Sequence, residues 1–137
     1  MIVSDLDPLL SSEGWPYASS PPVEAGDPGR FHALFGRDSL ICALQVLPER
    51  PDVALATLRA LAARQGHAEH PGTLEEPGKI GHEFRERAPE GFAWPDEGRF
   101  AYYGTADATS WFLVVAAAAG LAEELGDAWR AAAGWLE

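Results

Sequence analysis

The residues most able to do chemistry lie in Tyr102-Tyr103-Gly104-Thr105-Ala106-Asp107-Ala108-Thr109-Ser110-Trp111. An acid and small hydroxyl residues stand there between two tyrosines and the start of a long apolar stretch. Asp107 is expected at a helix N-terminus walled by aromatic rings, where a sugar can stack on Tyr103 or Trp111 and a carboxyl group can move a proton. A general acid must keep its proton near neutral pH, which desolvation by rings favours and a helix N-terminus opposes. Arg37-Asp38 opens an earlier helix in the same way. An aspartate beside a guanidinium suits accepting hydrogen bonds from hydroxyl groups rather than donating a proton.

Each feature also has an ordinary reading. Aspartate is favoured at helix N-caps, where it binds free backbone N–H groups. Tyrosine and tryptophan are common core residues, and Glu75-Glu76 reads as solvated loop charge. His67, Glu69 and His70 form a short cluster of ligand-type residues, but no second cluster at defined spacing accompanies it. No metal and no cofactor is expected.

These residues need elements to hold them. Residues 1–33 read as an irregular arm, punctuated by Ser19-Ser20-Pro21-Pro22 and Asp27-Pro28-Gly29, with Trp15 and Tyr17 packing down on the rest. From Asp38, Leu40, Ile41, Leu44 and Leu47 recur at helical spacing until Pro48. Pro51 suits a first helical turn, and Leu55, Leu58, Leu61 and Ala62 form the next stripe, closed by Gly66. The short link predicts an antiparallel hairpin. Residues 66–104 lose all periodicity, a length usually functional or disordered. Phe84, Phe92, Trp94, Phe100, Tyr102 and Tyr103 argue against disorder, and a helical turn is expected near His82–Arg87. A third helix from about Ala108 to Leu125 is apolar nearly all round and should be buried on more than one side. Gly126-Asp127 opens a fourth, carrying Trp129, Trp135 and Leu136. With no β-pattern of useful length, the expected fold is all-α, built of antiparallel helical hairpins. If the third helix runs parallel to the first, Asp38 and Asp107 share one end. The long loop then brings Glu75, Glu76, Lys79, His82 and Glu83 over it.

Composition narrows the partners. The net charge of −11 over 137 residues argues against nucleic acid, which needs clustered Lys and Arg, and against an anionic membrane surface. Cys42 is the only cysteine, and no secretory signal or membrane-length apolar run is visible, so a cytoplasmic protein is expected.

Three blocks then occur in order: Phe35-Gly36-Arg37-Asp38-Ser39-Leu40; Glu75-Glu76-Pro77-Gly78-Lys79-Ile80 with His82-Glu83; and Tyr102-Tyr103-Gly104-Thr105-Ala106-Asp107-Ala108-Thr109. Over roughly residues 31–126 the chain resembles the first half of the catalytic domain of bacterial amylo-α-1,6-glucosidase, glycogen-debranching-type proteins, which are six-hairpin glycosidases. The resemblance implies that residues 34–137 form part of an (α/α)6 toroid. It implies a glycoside hydrolase of carbohydrate metabolism acting on α-linked glucans. Arg37 and Asp38 match the pair that holds sugar hydroxyls where cleavage occurs, and Asp107 matches the general acid. Glu76, Lys79 and His82 match a loop block at the substrate.

A complete ring, with helices of about 11 residues and loops of about 5, needs roughly 190 residues. An inverting enzyme also needs a base carboxylate about 6.5–9.5 Å from the acid, which in the family comes from the second half. The expected partners are therefore an α-glucan or oligosaccharide, together with a second copy of the chain or a separately encoded second half. The alternative reading is a non-catalytic helical domain that binds carbohydrate or self-associates.

Overall fold

The computed structural model describes residues 3–26, 29–91, 94 and 99–137. Asp27, Pro28 and Phe92, named above, lie outside them. Along the chain come a 3-10 helix Val3–Leu9, β1 Leu34–Phe35, α1 Gly36–Val46, α2 Pro51–Ala62, β2 Glu83–Arg85, β3 Phe100–Tyr102, α3 Ala108–Ala118, α4 Ala122–Leu125 and α5 Asp127–Leu136.

The fold is mixed α and β, which corrects the all-α toroid expectation. A three-stranded antiparallel sheet, ordered β1-β2-β3, pairs Leu34 with Phe84 and Phe84 with Ala101. Glu83–Arg85 is therefore a strand where a helical turn was expected. The physical reason is length. Strands of two or three residues show no period, and their backbone partners come from three separate stretches of chain. Glu83, Phe84 and Arg85 do alternate, with Phe84 buried between two less buried neighbours, but three residues cannot establish a repeat.

The sheet orients the helices. β1 and β3 each run antiparallel to β2 and hence parallel to one another. β1 leads directly into α1, and β3 leads through a short link into α3. Both helices therefore start from the same end of the sheet and pack side by side.

The helices form for the reasons the periodicity suggested, with a rotated face. In α1 the buried residues are Gly36, Ser39, Leu40, Ala43 and Val46, so three small residues share the contact with Leu40 and Val46, and Leu44 and Leu47 only flank it. α2 starts with Pro51, whose missing N–H costs nothing in a first turn. Val53, Ala54, Thr57, Leu58 and Leu61 are fully buried. The expected third helix breaks where Gly120 adopts φ +70°, separating α3 from α4. α3 touches α1, α2, α4 and α5 through Phe112, Val115 and Ala116, whereas Val114 stays 49 % exposed.

The arm is tied down. Leu6 of the 3-10 helix is buried, the Ser39 hydroxyl donates to the Pro16 carbonyl at 2.7 Å, and Arg50 bridges Asp7 and Asp52, each at 2.8 Å. Trp15 packs against the core. Among the described residues, no helix is long and apolar enough to cross a membrane.

Candidate saccharide site

The segment 78–82 crosses the pole where α1 and α3 begin and α2 ends. The Gly66 N–H donates to the Lys79 carbonyl, and the Gly78 N–H returns a bond to Gly66, both at 2.9 Å. The Ile80 N–H donates to the Thr109 hydroxyl in the first turn of α3. The Gly36 N–H donates to the His82 carbonyl, and the His82 N–H to the Tyr102 carbonyl. Gly36 is obligatory here, because a Cβ on it would collide with the Gly81 carbonyl oxygen and crowd the Cβ of Ala108.

This arrangement brings together Arg37 and Asp107. A guanidinium nitrogen of Arg37 lies 3.7 Å from the Asp107 Oδ2, with the two side chains 48 % and 44 % exposed. Asp107 occupies the N-cap position of α3 but makes no side-chain cap bond. Its Oδ1 instead accepts from the Thr105 hydroxyl at 3.1 Å. Asp38 does not stand at an N-cap position, which Phe35 occupies in α1. It lies in the first turn of α1, where a negative charge complements the helix dipole, and its side chain is exposed. A half-exposed ion pair at this distance contributes at most about 1 kcal/mol. Both groups can therefore turn to a ligand's hydroxyl groups at little cost.

Phe35, two residues before Arg37, and Tyr102, five before Asp107, belong to an aromatic row. The His82 ring meets Phe35 and Tyr102 edge-on, with centroids 5.5 and 6.0 Å apart. Trp94 continues the row from Tyr102, and Phe31 from Phe35. The Arg85 guanidinium, in a largely buried ion pair with Glu83, lies over the Phe35 ring, 5.8 Å from its centroid. Phe31, Phe35 and Trp94 were not among the sequence-predicted site residues. Phe35, directly before the Gly36-Arg37-Asp38 turn, was the one with a usable signal.

Four predicted residues stand elsewhere. Tyr103 is buried, its ring edge-on to Phe84 and its hydroxyl donating to the Arg64 carbonyl at 2.6 Å. Neighbouring residues on a strand face opposite ways, so Tyr102 reaches the row and Tyr103 the interior. Glu76 and Lys79 hold the C-terminal helix. The Lys79 ammonium donates to Glu76 at 2.8 Å and to the Leu74 carbonyl and lies over the Trp135 ring. The Trp135 indole N–H donates to the other Glu76 oxygen. The Lys79 hydrogen bond, then that of Trp135, hold the Glu76 carboxyl below its usual range. Trp111 is half-buried against the core. Among the described residues, no group of three His, Cys, Asp or Glu could hold a metal ion.

Burial, with the Glu75 charge as a lesser cause, pushes the Tyr103 hydroxyl up to about 12 from an ordinary 10. A raised folded value means that the stabilisation is complete below pH 10 and is lost as pH climbs toward 12. Tyr103→Phe should cost about 1 kcal/mol at neutral pH by removing one hydrogen bond. It should also flatten the alkaline decline. Melting temperatures of both proteins from pH 8 upward check this; parallel curves would contradict the assignment.

No family model matches the chain, and no curated protein matches it.

Proposed function

We propose that this chain holds an α-linked glucan at the shared pole of α1 and α3, as the sugar-holding part of a glycoside hydrolase site of the debranching type. The observation that carries the reading is the meeting of Arg37 and Asp107 at 3.7 Å, each a few residues along the chain from a ring of the aromatic row. Two motif residues far apart in sequence share one solvent-facing spot. Arg37 and Asp38 supply a donor fork and an acceptor for vicinal hydroxyls. Thr105 orients the Asp107 carboxylate, and His82 with Tyr102 offers ring edges and faces to the pyranose. In the hydrolytic reading, Asp107 protonates the glycosidic oxygen.

A second reading, carbohydrate binding without turnover, is favoured by what happens to two other acids of the segment between α2 and α3. Glu83 is committed to Arg85, and Glu76 to Lys79 and Trp135. Neither is free to activate water as a base.

The test is titration with maltooligosaccharides by calorimetry, alongside an aryl α-glucoside assay, on the native chain, Arg37→Gln and Asp107→Asn. Saturable saccharide binding should weaken about tenfold in Arg37→Gln, the equivalent of one charged hydrogen bond. Turnover abolished by Asp107→Asn selects the hydrolase; binding without turnover selects the second reading. Absence of any saccharide binding sinks both.

A further inference from the structure

A second cleft, sharing no residue with the Arg37–Asp107 pair, opens between the arm, the C-terminal end of α2 and the far end of the β2–β3 ladder. Its volume is about 1070 Å³. Four of the chain's ten basic residues line it: Arg64, Arg85, Arg87 and Arg99. That concentration runs against a net charge of −11.

Three glutamates, Glu13, Glu75 and Glu86, line the same cleft, and Glu13 also accepts the Trp15 indole N–H at 2.8 Å. What matters is which arginines remain uncommitted. Arg85 is spent on Glu83 and the Arg30 carbonyl, and Arg64 donates to the Ala60 carbonyl and faces Glu13. Arg87 and Arg99 are exposed and, among the described residues, make no side-chain hydrogen bond or ion pair. Both flank the strand ends, Arg99 immediately before β3 and Arg87 two residues after β2. The cleft is also lined by Trp15 and the stacked Tyr17–His32 pair, whose ring centroids are 3.7 Å apart.

We propose that this cleft binds a small ring compound bearing one oxyanion, a phosphate or a carboxylate, with Arg87 and Arg99 on the anion and the Trp15 side of the cleft against the ring. Free guanidinium groups are the side chains best suited to bidentate recognition of either oxyanion. Aromatic side chains beside a few charged groups can hold the ring and the anion of one small molecule together.

The experiment is calorimetric titration of the full chain with phenyl phosphate, benzoate and neutral benzyl alcohol, ring compounds without sugar hydroxyls. Saturable binding of at least one anion, but not of benzyl alcohol, is expected, and which of the two binds identifies phosphate or carboxylate as the anion. Each arginine removed should weaken binding about tenfold, so Arg87→Gln with Arg99→Gln should give about a hundredfold loss. Because both residues are exposed and outside the strands, that double variant should melt like the native chain. Failure of both anions to bind, equal binding of benzyl alcohol, or native affinity in the double glutamine variant overturns the proposal, whatever the maltooligosaccharide titration shows.

Discussion

Gly36→Ala should destabilise the protein by about 3 kcal/mol and abolish saccharide binding. Helix propensity alone points the other way, since alanine within a helix is favoured over glycine by roughly 0.5–1 kcal/mol. The clash decides the sign. The added Cβ would meet the Gly81 carbonyl oxygen, a backbone atom of the segment bonded to α1 at one end and α3 at the other. Such an atom cannot rotate aside as a flexible side chain can, and overpacking costs typically 1–3 kcal/mol. Relief requires segment 80–82 to move outward, which separates α1 from α3 and with them Arg37 from Asp107. Gly134→Ala is the control. That glycine lies in α5 with nothing within 4 Å of the added Cβ, so the same substitution there should stabilise slightly. Urea unfolding of both variants checks the pair, and two gains of stability would refute the close approach.

Phe112→Ala should cost about 3–5 kcal/mol, the usual range for emptying a buried phenylalanine site. Phe112 is fully buried, in the helix that touches α1, α2 and α5, so no single neighbour can collapse into the hole. Val114→Ser, two residues on, should change stability by less than about 0.5 kcal/mol, because Val114 is 49 % exposed. The apolar run alone does not distinguish these positions. Denaturant midpoints with unchanged slopes settle the ranking; comparable losses at both sites would place both faces of α3 in contact.

Much of the helical frame is legible in the sequence. Proline at 51 and glycine at 126 punctuate the chain and the apolar spacing outlines the helices, but the break at Gly120 interrupts a stretch that reads as one helix. The contact faces were less legible, since large residues were assigned to the interfaces of α1 and α2 while Ala43 and Ala54 sit at their centres with no exposure. A small side chain carries little hydrophobic signal yet permits the closest helix approach. The sheet was missed because short strands have no period, and Trp94 and Phe31 were missed as ring-row members because their neighbours lie across the sheet. Tyr103, Glu76 and Lys79 carried the right chemistry for a site, but each is spent holding the fold together.

From its order of residues this chain determines where helices begin, which acids stand at their first turns, and that Arg37 and Asp107 sit at such turns. Local propensity and capping chemistry act over a few neighbouring residues, so one sequence suffices to read them. That the two turns meet is decided only by the tertiary structure. Two strands parallel to one another, both hydrogen-bonded to the strand between them, launch α1 and α3 from the same end of the sheet. Those pairings link residues distant along the chain, and register between distant strands is an interaction that no local pattern encodes.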